Sequence, residues 1–179
     1  MADQESRLVR SAAQGDKEAF GELVLMHQRA VHGLAYRLCG DAALADDATQ
    51  ETFLRAWQAL PTYDHRGSLR NWLLRIVANI VTDQLRRQSP VALDAETMPA
   101  GEGSPSETAE RNALQAQVRQ AIMALPPASR AALVLREFDG LSYTEIAEVL
   151  GVPVGTVMSR LHYARQTLRR VLALEMEEG

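Results

Sequence analysis

Apolar residues recur at intervals of three and four along most of the chain, and no strand-length run alternates, so the pattern predicts an all-α protein. Asp16 stands as a helix N-cap ahead of Phe20, Leu23, Val24, Val31, Leu34, Ala35 and Leu38, and Gly40 closes that helix. Asp41 caps the next helix, which must stop before Pro61. Thr49, Phe53, Ala56, Trp57 and Leu60 form its buried stripe, while Asp47, Gln50, Glu51 and Leu54 lie off it. Ser68 caps a third helix running to about Gln88. It should bury Leu69, Trp72, Leu73, Ile76, Val77 and Ile80 and leave Asn71, Arg75, Asn79, Asp83 and Arg86 on a polar stripe.

The second half repeats this punctuation. A helix over about 107–124 ends at Leu125, Pro126 and Pro127, and another runs from there to about Phe138. Ser142 followed by Glu145 is a capping box, so a short helix should start at Tyr143, carry Ile146, Ala147, Val149 and Leu150, and end at Gly151. Pro153 and Gly155 open a longer helix with Val157, Leu161, Ala164 and Leu168 turned inward. A short helix, a glycine turn and a longer basic helix make a helix-turn-helix. Its second helix would enter the major groove, with Thr156, Ser159, Arg160 and Tyr163 toward base edges and Arg165, Arg169 and Arg170 toward phosphates.

Charge divides the chain. The 179 residues carry a formal net charge of −4, which by itself argues against a nucleic-acid binder. The distribution says otherwise: 41–58 hold four acids against Arg55, 63–87 hold five arginines against Asp64 and Asp83, and 156–172 hold four arginines and no acid. Between the basic stretches, 88–110 contain five acids, three prolines and two glycines without a base, the composition of a flexible acidic linker. Two small helical domains are expected, 1–88 and 107–179, joined by a linker over 89–106. The basic helix with Arg75 and Asn79, preceded by Tyr63, His65 and Arg66 on a loop, has the groups that hold single-stranded bases. The acidic face of 41–59 reads either as a solvated helix surface or as a docking face, Leu54 favouring the latter.

Other chemistry is sparse. Cys39 is the only cysteine, so no internal disulfide can form, and His27 and His32 are five apart, off helical metal-ligand spacing. No phosphate loop, nucleophile elbow or zinc-protease motif occurs, so no cofactor, metal or catalytic residue is expected. The acidic start and the lack of a long apolar run imply neither signal peptide nor membrane insertion, hence a cytoplasmic protein.

Three phrases in this order resemble an extracytoplasmic-function (group IV) sigma factor of RNA polymerase. Residues 46–57, DDATQETFLRAW, are similar to that family's polymerase-binding helix. Residues 63–79, YDHRGSLRNWLLRIVAN, are similar to the segment that opens the minus-ten element and captures a flipped base, and 141–161, LSYTEIAEVLGVPVGTVMSRL, to the module that reads the minus-thirty-five element. The resemblance assigns Asp47, Gln50, Glu51 and Leu54 to core polymerase, and Tyr63, His65, Arg66, Ser68, Asn71, Arg75, Asn79, Asp83 and Arg86 to the minus-ten element. It assigns Thr156, Ser159, Arg160, Tyr163, Arg165 and Arg169 to the minus-thirty-five element. Met158 and Tyr163 depart from relatives that often carry a basic residue there. Implied partners are core RNA polymerase, promoter DNA as duplex and melted strand, and an anti-sigma factor; the free chain is expected to be a monomer. The competing readings are a helix-turn-helix regulator acting without polymerase and a protein-binding helical adaptor.

Overall fold

The computed structural model describes residues 2–64, 67–88 and 107–177, which form helices joined by short turns, with no strand among the described residues. Helices α1 (Ala2–Ala13), α2 (Lys17–Cys39), α3 (Ala42–Ala59) and α4 (Leu69–Gln88) pack as one group, with a short 3-10 turn at Leu60–Thr62. Helices α5 (Glu107–Met123), α6 (Pro127–Glu137), α7 (Tyr143–Leu150) and α8 (Val154–Glu177) form the second group around α8. The acidic stretch 89–106 lies outside the described residues.

Local rules set most boundaries. Asp16 accepts from the backbone N–H groups of Glu18 and Ala19 at 3.0 and 3.1 Å, and Asp41 accepts from that of Leu44 at 2.9 Å. Gly40 takes φ +73°, the left-handed conformation that ends α2 and that a side chain would strain. The elements read from the pattern begin at Asp16, and the structure adds α1 ahead of it, where Val9 and Ala12 are buried and α1 packs on α2. Propensity over a dozen residues would not hold such a helix in water, and packing does.

The first group's core is Leu23, Val31, Leu34, Leu38, Ala45, Ala48, Phe53, Ala56, Leu73 and Val77, with Phe20 tilted against Trp57 at 4.9 Å between ring centroids. The stripe on α3 is rotated from the expected one. Thr49 and Trp57 are half-buried, and Ala45, Ala48 and Thr52 take the inner positions. Small residues let α2 and α4 approach α3 closely, and Thr52 satisfies its hydroxyl by donating to the Ala48 carbonyl at 2.7 Å. On α4, Trp72 and Ile76 are only half-buried, whereas Leu74, Ala78 and Val81 are fully covered. A second face of α4 is buried because α6 and α7 pack onto this helix as well as α2 and α3 do.

The two groups therefore touch. Arg130, almost fully buried on α6, reaches across to donate to the carbonyl of Leu38 at the end of α2, and also to those of Met123 and Leu125. Met123 packs on Gly40, where an added Cβ would come within 2.8 Å of its methyl carbon. Arg119 donates to the Tyr36 hydroxyl at 3.3 Å, and Arg37 lies over the Phe138 ring at 4.8 Å.

Candidate nucleic-acid interface

The second group ends in the expected helix-turn-helix. Ser142 and Glu145 close the capping box, the Ser142 N–H donating to Glu145 Oε2 at 2.9 Å and the Glu145 N–H to Ser142 Oγ at 3.3 Å. The Ser142 N–H and the Ser142 hydroxyl, which donates to Oε2 at 2.8 Å, together with the Asn71 amide on Oε1, hold the Glu145 carboxylate and lower its pKa. Gly151, at φ +63°, ends α7 in the left-handed conformation and turns the chain into α8. Loss of the Ser142 hydroxyl in Ser142→Ala is expected to lower stability by about 1 kcal/mol in thermal melts.

Helix α8 buries Val157, Leu161 and Ala164. Met158, at 54% exposure, and Tyr163, at 49%, stand out from it. A groove of about 730 Å³ runs beside α8, lined by Tyr143, Gly155, Met158, Ser159, His162, Arg165, Gln166 and Arg169. Ser159 donates to the Thr156 carbonyl at 2.9 Å, leaving its lone pairs for outside donors. Arg160 is half-buried and, among the described residues, enters no ion pair; Arg169 and Arg170 are exposed. Arg165 differs from the free phosphate arm expected of it. Its guanidinium donates to Glu137 at 2.8 Å, and this bond, followed by one with Tyr143, raises its pKa further. His162 and Gln166 carry no charge signal in the sequence, although helical spacing puts them beside Ser159 and Arg169, and Met158, the departure from basic relatives noted above, lines the same groove.

The second candidate surface is the start of α4. The Tyr63 ring lies 4.9 Å from that of Trp72 at 40°, and its hydroxyl donates to the Gly67 carbonyl at 3.2 Å, so Tyr63 rests on the first turn of α4. Desolvation raises the Tyr63 pKa. Ser68 caps α4 by accepting from the Asn71 N–H at 3.1 Å. Arg75 and Asn79 are exposed on one face, and Asp83 pairs with Arg86 at 3.1 Å. His65 and Arg66 lie outside the described residues. Asn71 is already engaged, its amide donating to Glu145 Oε1 at 3.0 Å.

The third surface is the outer face of α3. Asp47 and Gln50 are exposed and Leu54 is 60% exposed, an apolar side chain in line with an acid and an amide. Glu51 is half-buried and pairs with Arg55 at 2.7 Å, and neighbouring Asp46 sits 3.1 Å from His32.

Residues 23–91 match the family model of sigma-70 region 2, and residues 115–168 that of sigma-70 region 4. The RNA polymerase sigma-H factor of Pseudomonas aeruginosa is 38% identical over 189 aligned positions, which cover 99% of this chain and 98% of that protein. The ECF RNA polymerase sigma factor SigE of Mycolicibacterium smegmatis is 40% identical over 93% of this chain and 67% of its own length. The chain belongs to the extracytoplasmic-function sigma factors. It is a sigma-type transcription initiation factor. Among solved structures, CnrH in complex with the cytosolic domain of CnrY superposes on this sigma factor with a TM-score of 0.73 at 32% identity, over 96% of this chain and 98% of that one. RpoE in complex with the anti-sigma factor NepR, from Bartonella quintana, gives 0.69 at 25% identity, over 86% and 96%.

Within the sigma factor, residues that join the halves carried little signal in the sequence. Arg70 donates to Asp139 at 2.7 Å, and Arg130 occupies an otherwise apolar helix face. An arginine among alanines and leucines on α6 was the one available hint, since a charge in that position must find partners.

Proposed function

We propose that this sigma factor docks on core RNA polymerase through Asp47, Gln50, Glu51 and Leu54 of α3 and brings it to promoters through two DNA-facing surfaces. The minus-ten surface comprises Tyr63, His65, Arg66, Ser68, Asn71, Arg75, Asn79, Asp83 and Arg86, and it takes the melted non-template strand. The minus-thirty-five surface comprises Thr156, Ser159, Arg160, Tyr163, Arg165 and Arg169, and it takes duplex. In this reading the functional units are 1–88 and 107–179, joined by 89–106. RNA synthesis belongs to the polymerase, and this chain contributes no catalytic step. It works in the cytoplasm, where among the described residues no helix is long and apolar enough to cross a membrane. An anti-sigma factor, the kind of partner bound by the similar RpoE, would hold the free monomer.

The observation that carries this reading is the pairing, in one chain, of an exposed face of α8 whose residues 156–172 include four arginines and no acid with an exposed acidic face on α3. With a net charge of −4, the isolated chain gains little from counterion release. It should bind promoter duplex weakly at physiological salt, and strongly once core polymerase fixes both halves. Fluorescence anisotropy with and without core checks this. Tight binding by the chain alone favours a helix-turn-helix regulator that acts without polymerase. In the assembled holoenzyme, Arg160→Ala should weaken promoter-specific initiation by about 5- to 150-fold and relax the minus-thirty-five preference, as loss of a base contact does. Arg169→Ala should weaken binding uniformly across promoters and lower the salt slope by about one. Both are read by initiation assays over a salt series.

A further inference from the structure

We infer that Glu137, on α6 and outside the helix-turn-helix, is a positioning residue for minus-thirty-five recognition, holding Arg165 as a bracket between α6, α7 and α8 instead of releasing it to a DNA phosphate. The inference rests on the proposed two-surface reading of promoter binding and deepens it, adding Glu137 and changing the part that Arg165 plays. Three helices meet at this guanidinium. Arg165, on α8, donates to Oε1 of Glu137 at the end of α6 at 2.8 Å, and it shares a second hydrogen bond with the side chain of Tyr143, the first residue of α7. The Tyr143 ring is held in turn by Arg136, whose guanidinium lies 5.3 Å from the ring centroid and donates to the Leu141 carbonyl at 2.8 Å. Tyr143 and Arg165 line the groove beside α8 together with Met158, Ser159 and His162, so whatever fixes those two side chains fixes a wall of the surface that meets DNA.

Charge explains why the bracket stays closed on DNA. The side chains of Arg165 and Glu137 are both partly exposed, so their pairing adds little to the stability of the fold. Its effect falls on the interface. If Arg165 swung to a phosphate, the Glu137 carboxylate would stand without its cation within a side chain's length of the DNA backbone, and like charge there costs what the new contact gains. Kept together the two are neutral as a pair, and the guanidinium ties the start of α7 to α8. Phosphate contacts are left to Arg169 and Arg170, exposed further along the same helix. A recognition helix reads bases from a set position in the major groove, and a bracket across three helices near its middle holds that position.

The test uses holoenzyme assembled from core RNA polymerase and the full-length chain, on a promoter found by run-off transcription and on the same promoter with its minus-thirty-five element scrambled. Anisotropy over a salt series gives the preference for the intact element and the salt slope, and circular dichroism checks helix content. Glu137→Ala should keep its helix content and lower that preference by about five- to tenfold, as partial loss of base contacts does. A phosphate arm predicts the opposite sign, because removing the acid would free Arg165 and tighten binding to both promoters alike. Arg165→Ala should lower the preference similarly and keep the wild-type salt slope, whereas Arg169→Ala lowers the slope by about one. The exchange Glu137→Arg/Arg165→Glu should restore most of what Arg165→Glu alone loses, because the Tyr143 hydroxyl can donate to the relocated carboxylate. An unchanged preference in Glu137→Ala would overturn the inference, as would a salt slope lowered by about one in Arg165→Ala, or an exchanged pair no better than Arg165→Glu. Failure of the two-surface reading would show separately, as absence of promoter-directed start sites from wild-type holoenzyme.

Discussion

Asp47→Arg combined with Leu54→Asp should lower affinity for core RNA polymerase by about a hundredfold or more, with helix content and melting temperature close to wild type. Both side chains project into solvent from α3, Leu54 at 60% exposure, so neither supports the fold. Seven residues apart, they lie two turns along one face, with Gln50 between them. An exposed leucine beside acids gains nothing in the free chain. Set into a partner's apolar pocket it becomes the kind of anchor whose loss costs about 2 kcal/mol or more. Reversing Asp47 replaces attraction to a basic face with repulsion, which slows association as well as weakening it. Glu51→Ala should cost much less, because that carboxylate is already committed to Arg55 at 2.7 Å. Titration of labelled sigma factor with core measures all three. Wild-type affinity in the double variant would remove α3 from the docking face.

Arg130→Ala should destabilise the free chain by about 2 to 4 kcal/mol, for a reason that lies in backbone chemistry. The last carbonyls of a helix have no partner within it, and the guanidinium of Arg130 takes up those of Leu38 near the end of α2 and Met123 at the end of α5, with Leu125 at 3.0 Å. Its positive charge also sits at the negative ends of two helices. Desolvation lowers the Arg130 pKa, and among the described residues these three carbonyls accept its hydrogen bonds. Truncation leaves them without a donor and opens a void between α2 and α6. Arg130→Lys should recover part of the loss, since one ammonium cannot reach all three carbonyls in the plane of a guanidinium fork. Calorimetry should show the transition falling by about 5 to 15 °C in the alanine variant. An unchanged transition would mean that the two halves do not depend on this joint.

The helix boundaries were legible because they are set by short-range rules. Asp16, Asp41, Ser68 and Ser142 cap the helices they were expected to cap, and Gly40 and Gly151 end helices at positive φ. Those contacts span two to four residues, and the sequence shows them directly. Helix α1 was not legible, since Val9 and Ala12 matter only once α2 offers a surface. The same holds for Leu74 and Val81, buried on a face of α4 that belongs to neither the apolar nor the polar stripe of the pattern. On the candidate surfaces, the residue types of α3 and α8 were readable from charge and spacing. Their current partners were not: the Arg165–Glu137 and Asn71–Glu145 bonds join positions 28 and 74 residues apart. Long-range pairing is fixed by tertiary packing, which a pattern of apolar spacing does not encode.

Run-off transcription from a genomic promoter library, with core RNA polymerase alone, with core plus the wild-type chain, and with core plus the Asp47→Arg/Leu54→Asp variant, tests the account most directly. Defined start sites should appear only with the wild type, and their upstream sequences should align at two separated elements. The same start sites with core alone or with the variant, or a chain that shifts promoter DNA without ever redirecting core, would contradict it.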